Sequence, residues 1–169
     1  MLAAFGSDVY DIVLVLHILC AIVGFGAVML NGIYAAQARA RGGSEGLAIT
    51  EANVLVSRIG QYFIYAVFVL GVVLVLIGDP VTEFDQTWIW LSIVLFIVGV
   101  GVSHGLLYPR VNRLIALQRE LLASPPSTSG PPPHVTEMEQ VGSKLGVISM
   151  ALHLNLITIL TLMVFKPGF

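Results

Sequence analysis

The sequence predicts an all-α integral membrane protein, with four transmembrane helices in an up-down-up-down antiparallel bundle and both termini on the outer side. Three observations predict it. Of 169 residues, 57% are hydrophobic and only 11% charged, with mean hydropathy +0.92, where soluble domains carry about 25% charged residues. Four stretches, 12–36, 59–77, 88–108 and 145–165, contain no Lys, Arg, Asp or Glu, and each is near the ~20 residues that cross a bilayer. Seven of the eight Lys and Arg residues fall between spans one and two or between spans three and four.

Span one (12–36) is preceded by Asp8 and Asp11 and by no basic residue. Its apolar run exceeds the ~7–15 residues of a leader's core, so it is expected to stay in the mature protein. At helical spacing it aligns His17, Ala21, Gly24, Val28, Asn31 and Ala35 on one face, with Ala27 and Gly32 close by, and that face should look into the bundle. Cys20 is the lone cysteine, so no intrachain disulfide exists. Arg39, Arg41 and Arg58 follow in the segment 37–58, ahead of span two (59–77).

The connection to span three carries only Asp79, Glu83 and Asp85. Span three (88–108) opens on Trp88 and Trp90 as an outer aromatic belt, with Tyr62, Tyr65 and Tyr108 toward the inner one. It holds Gly99, Gly101, Ser103, His104 and Gly105. Beyond Pro109 the spacing of Val111, Leu114, Leu117, Leu121 and Leu122 continues a helix, with Arg113, Arg119 and Glu120 on other faces. The Pro/Ser-rich stretch within 123–136 then reads as a linker, because proline lacks the amide donor and fixes φ. His134 in it is expected to be solvated. Span four (145–165) carries Gly146, Ser149, His153 and Asn155, with Gly142 just before it. The basic residues orient the chain with the segments 37–58 and 109–144 in the cytoplasm.

Several classes are excluded by missing parts. A net charge of −2 and pI near 6.0 leave no basic footprint for nucleic acid. No phosphate-binding glycine loop, cysteine pair or His-Glu-x-x-His helix occurs, and no span holds an acidic residue. Nucleotide hydrolysis, zinc proteolysis and carboxylate-based antiport therefore lack their minimum groups.

The chemistry left is that of His17, His104 and His153. Ionisable groups at membrane depth point to function, and neutral imidazole binds iron, copper or zinc. The alternative is that each ring only hydrogen-bonds a carbonyl, Asn or Ser of a neighbour. At ~1.5 Å per residue, His17 lies about 8 Å below the outer end of its span, His153 about 18 Å and His104 about 24 Å. His104 and His153 differ by about 6 Å, a marginal fit to one haem, whereas His17 and His153 differ by about 10 Å and are poorly level, and the depths permit one histidine with a different second ligand.

The segment Val13-Leu-Val-Leu-His17-Ile-Leu-Cys-Ala-Ile-Val-Gly-Phe-Gly26 resembles the opening of small four-helix bacterial membrane proteins of the copper-resistance D (CopD-like) group. The same opening, His104-Gly105 and the ending Lys166-Pro167 are similar to the four-helix membrane protoporphyrinogen oxidase of haem synthesis, although Val23-Gly-Phe-Gly26 departs from that enzyme's first helix. The resemblance implies a bacterial plasma membrane, haem b or copper as cofactor, and membrane electron transfer. It makes His17 a haem ligand and Arg58 a propionate partner; together with the reading of the spans, His17 and His153 are the ligands to test, with His104 beside them. Two alternatives are a non-catalytic accessory subunit of a larger respiratory or transport complex and an oxidase-like enzyme. The Gly/Ser-rich helix faces would then serve packing, a homodimer or other membrane subunits.

Overall fold

A computed structural model describes residues 8–78, 86–124 and 133–167. The acidic connection with Asp79, Glu83 and Asp85, most of the proline linker, and the last two residues lie outside the described residues. Among the described residues there are helices and no strand: α1 (Asp8–Met29), α2 (Asn31–Arg41), α3 (Gly43–Ile77), α4 (Thr87–Val102), a π-helical turn (Ser103–Leu107), α5 (Tyr108–Ala123) and α6 (Pro133–Phe165).

All four predicted spans are helical, and each belongs to a longer rod. Asp8–Arg41, Gly43–Ile77, Thr87–Ala123 and His134–Phe165 are 34, 35, 37 and 32 residues long, about 50 Å where ~30 Å crosses the hydrocarbon. The surplus lies at the end where the arginines cluster. The segments 37–58 and 109–144 are therefore largely helix rather than open loops. Glu, Ala, Leu, Gln and Arg dominate them, and these are strong helix formers. Helix α6 begins at Pro133, inside the stretch expected to be linker.

Spans one and two make one hairpin and spans three and four another. Helices α1 and α2 pack on α3, α4 packs on α6, and α5 packs on α6 and α3. Gly42 and Gly43, at φ +61° and +52°, turn α2 into α3, a backbone region that glycine enters without penalty. The turn brings Gly46 so near α2 that an added Cβ would lie 2.5 Å from the Ala38 carbonyl oxygen. Deeper in the same hairpin, α1 and α3 cross at Gly24 and Gly60. A Cβ on Gly60 would meet Ala27 Cβ at 2.6 Å, and one on Gly24 would meet Ile64 Cγ1 at 2.9 Å. Small residues thus let two backbones touch where leucine burial against lipid-like neighbours gains little.

Within the bilayer the rods expose most of their apolar side chains, for example Ile22, Val69 and Ile97, as lipid-facing helices do. Among the described residues the one large side chain with no exposure is Leu117, outside the lipid span, in α5. There the rods form a small water-side bundle held by ion pairs. Arg113 donates from Nε and Nη2 to Glu137 Oε1 and Oε2 at 2.8 and 2.9 Å. Arg119 Nη2 donates to Glu51 Oε1 at 2.6 Å. His134 is not simply solvated, since its Nδ1 lies 3.5 Å from Glu120. At the opposite end Lys166 Nζ sits 5.4 Å above the Trp88 ring.

The third rod is interrupted by its π turn, in which the Tyr108 amide donates to the Ser103 carbonyl, five residues back. Pro109 explains the position. A proline has no amide hydrogen and its ring collides with the carbonyl four residues earlier, here that of Gly105. Widening the preceding turn moves that carbonyl aside. Arg110 Nη1 then donates to the Leu106 carbonyl at 2.8 Å.

Candidate functional site

Between the two hairpins a cavity of about 1000 Å³ runs from the middle of the spans to the arginine-rich end. Its wall is mostly apolar, with polar groups at set positions. Toward mid-membrane lie His153 and Asn155; lower down are Asn31, Ser57, Gln61, Tyr65 and Tyr108; near the mouth are Asn53, Gln118, Arg39 and Glu139. Ser57 Oγ donates to Asn31 Oδ1 at 3.0 Å. Asn53 Oδ1 and Gln118 Oε1 are buried with no hydrogen-bond partner. Orphan polar atoms are uncommon in proteins, and here both line one chamber.

The three intramembrane histidines sit in three different environments. His153, on α6, is half-buried in the cavity wall. Its Nε2 is 3.1 Å from the Val28 carbonyl oxygen of α1; a carbonyl only accepts, so Nε2 carries the hydrogen and the neutral ring keeps Nδ1 as its lone-pair site. This bond joins span four to span one and closes the ring of helices. His17 lies against α3, its Cε1 3.2 Å from where a Gly71 Cβ would stand, and its Nδ1 is buried without a partner. It is not part of the cavity wall. Val28, the partner of His153, is eleven residues beyond His17, about 16 Å along the helix. His17 and His153 are therefore not brought together.

His104 occupies the π turn. Its Nδ1 is 2.9 Å from the Val100 carbonyl oxygen, which places the hydrogen on Nδ1 and leaves Nε2 to accept. Tyr65 Oη lies 2.9 Å and Gln61 Nε2 2.8 Å from that Nε2, and Tyr108 donates to Gln61 Oε1. A four-residue network thus spans α3, the π turn and α5. Its Gln61, Tyr65 and Tyr108 face the cavity, while His104 is exposed outside it. The spacing Gln61–Tyr65 is one helical turn, but which partner the pair would meet on span three was hidden until the π turn fixed the rotation of His104. Tyr65 and Tyr108 are members of this network, and Tyr62 alone of the three keeps a purely exposed position, at 74%.

Arg58 is exposed on the opposite side of α3, in a separate cleft with Arg119; the arginine at the mouth of the large cavity is Arg39. Among the described residues no group of three or more His, Cys, Asp or Glu stands close enough to hold a metal ion. Of the expected packing glycines, Gly24 and Gly99 are used, Gly99 against Asn155, whose Nδ2 donates to the Leu95 carbonyl at 3.2 Å. Gly101, Gly105, Gly142 and Gly146 have nothing within 4 Å of an added Cβ. Gly60, which sequence reasoning passed over, is the tightest interhelical contact of span two.

The fold and its chamber define a four-span α-helical integral membrane protein with a mostly apolar cavity, dotted with polar groups, that opens toward its basic end. The chain matches the family model described as "Predicted integral membrane protein (DUF2269)" over residues 11–167, and it belongs to that family. No curated protein and no solved structure matches it.

Proposed function

We propose that this membrane protein holds an amphipathic ligand in the cavity between its hairpins, and that the ligand is haem b bound through His153 and serving membrane electron transfer. The observation that carries this reading is His153 itself. It lines a chamber at the upper end of the volumes that small-molecule sites span, and its Nε2–H is committed to the Val28 carbonyl, the second bond by which ligating histidines are usually oriented. The mouth supplies a head-group end: Arg39 is exposed with no ion-pair partner among the described residues, and the Asn53 and Gln118 amides have an unpartnered atom each. Glu139 at the same mouth favours a ligand whose charge is directed toward Arg39. When bound, haem would supply one-electron redox chemistry.

His17 and His104 fit a ligand role less well, the first packed against Gly71 and the second with both ring nitrogens engaged. Copper alone would require several close donors, and the cavity offers one histidine. The positive-inside bias supports a mouth that opens toward the cytoplasm, and the CopD-like resemblance supports a bacterial inner membrane.

The test is a reduced-minus-oxidised visible spectrum of the protein purified in mild detergent, with metal analysis of the same sample. Sharp Soret and α bands near one haem per chain are expected, lost in His153→Ala and kept in His17→Ala. A colourless, metal-free protein would overturn the reading, as would loss of the bands in His17→Ala alone. Product analysis with protoporphyrinogen separates a carrier from an oxidase-like enzyme.

A second reading, an accessory subunit or homodimer, is favoured by one observation. The Gly101/Gly105 face of span three is open and lies outside the cavity wall, where another membrane helix could approach closely.

A further inference from the structure

A second cleft, of about 420 Å³, lies between α3 and α5 on the outside of the bundle. Only Val54 belongs to both it and the large cavity. Its polar groups are Arg58, Asn112, Arg119 and Glu51, and its remaining wall is Val54, Leu55, Ile115 and Ala116. Arg119 is neutralised by Glu51 at 2.6 Å. Arg58 has no hydrogen-bond or ion-pair partner among the described residues, and its guanidinium carries the cleft's net positive charge.

Depth decides what could meet that charge. Arg58 immediately precedes the uncharged run of span two, and Asn112 is one helical turn beyond Tyr108, where span three ends. Both therefore lie within about 6 Å of the hydrocarbon edge, the layer occupied by phospholipid head groups. A soluble anion would find its site open to lipid on one side, whereas a phospholipid would set its phosphate at the charge and its chains in the adjoining hydrocarbon. Its phosphate would face Arg58 and Asn112. Its acyl chains would run from Arg58 into the hydrocarbon along the exposed flank of α3 that begins with Ile59 and Tyr62, which are 50% and 74% exposed.

We infer that this cleft is a binding site for the phosphate head group of an anionic phospholipid of the leaflet on the arginine-rich side, with Arg58 as the charge that selects it. Guanidinium matches a phosphodiester through two parallel N–H donors, and basic pockets between membrane helices at this depth are where such head groups are recognised.

The experiment uses the full chain in detergent and reads lipid retention by native mass spectrometry, comparing phosphatidylglycerol with phosphatidylcholine of the same acyl chains. Wild type is expected to retain phosphatidylglycerol preferentially. Arg58→Gln should weaken that retention about fivefold, the effect of one basic side chain near a charged membrane surface. Arg41→Gln, which removes the same charge from an exposed position outside the cleft, should leave it unchanged. Equal retention of the two lipids by wild type would overturn the assignment, as would equal losses in Arg58→Gln and Arg41→Gln. Thermal stabilisation by inorganic phosphate as large as that by phosphatidylglycerol would identify a free-anion site and overturn the lipid one.

Discussion

Replacing Gly60 by Ala tests whether the crossing of α1 and α3 rests on backbone contact. The new methyl would stand 2.6 Å from Ala27 Cβ, about 1 Å inside the separation at which two carbons attract each other. The hairpin must open or tilt, forfeiting contacts along the crossing, and overpacking of this kind costs about 1–3 kcal/mol. Removing a glycine from a helix returns up to ~1 kcal/mol, so the net loss expected is about 1–2 kcal/mol. Gly26→Ala, next to Ala27 in the chain but on another face of α1, meets nothing within 4 Å and should be neutral or slightly stabilising. Ala27→Gly combined with Gly60→Ala removes the struck atom and leaves the Gly24 carbonyl oxygen, at 3.4 Å, as the nearest neighbour. The double variant should recover stability, with a coupling of about 1–2 kcal/mol. Equilibrium unfolding in mixed micelles titrated with a denaturing detergent measures wild type, the three single variants including Ala27→Gly, and the double variant. Equal shifts in Gly26→Ala and Gly60→Ala, or a purely additive double variant, would refute the close-approach explanation.

Two further outcomes concern the arginine-rich end. The hydrogen bonds from Arg113 hold the Glu137 carboxyl below the ordinary carboxylate range. A depressed folded-state value means that this pair stabilises the fold above the unfolded carboxyl's titration, near pH ~4.3, and that the contribution fades as pH falls through the lower folded value. The thermal midpoint should therefore drop on acidification below about pH 4, with a shallower drop in Glu137→Gln. Because both side chains are partly exposed, high salt should shrink the difference; an identical acid slope in wild type and variant would remove the pair from the account. For orientation, Ser44→Cys in the exposed Gly42–Gly43 turn should react with an impermeant maleimide only from the cytoplasmic face, since Cys20 is half-buried within span one. Labelling from the outside alone would reverse the assigned topology.

The four spans were legible because uncharged runs of this length have one physical use. The helix past Pro109 was legible from the spacing of Val111, Leu114 and Leu117, but the other rod ends were not, because Arg39 and Glu51 read as loop by hydropathy while the helix continues beneath them, sustained by propensity and by pairing across rods. His17, Gly24 and Gly99 could be placed on inward faces from their spacing. Their partners could not, since spacing fixes a face and leaves the neighbour open. His153 illustrates this: its position on an inward face followed from Gly146 and Ser149, but its bond to Val28 depends on how far α6 slides along α1. The network of His104 was hidden for a different reason. A uniform 3.6-residue period is assumed in any reading of a helix face, and Pro109 breaks that period four residues before it arrives.

The π turn also sets the phase of everything after it. Gly99, Ser103, Leu107 and Val111 all line the large cavity, three steps of four residues that would rotate the last about 120° away from the first in an uninterrupted α-helix. One surplus residue absorbed in the wide turn cuts that drift to about 20°, so the chamber keeps a continuous wall from mid-membrane to water. Inserting a single further residue between Ser103 and Leu107 would leave the hydropathy, the charge and the number of spans as they are. It would nevertheless swing Val111, Leu114 and Gln118 out of the wall together, and two sequences that look alike to any composition measure would differ in whether they enclose a chamber at all.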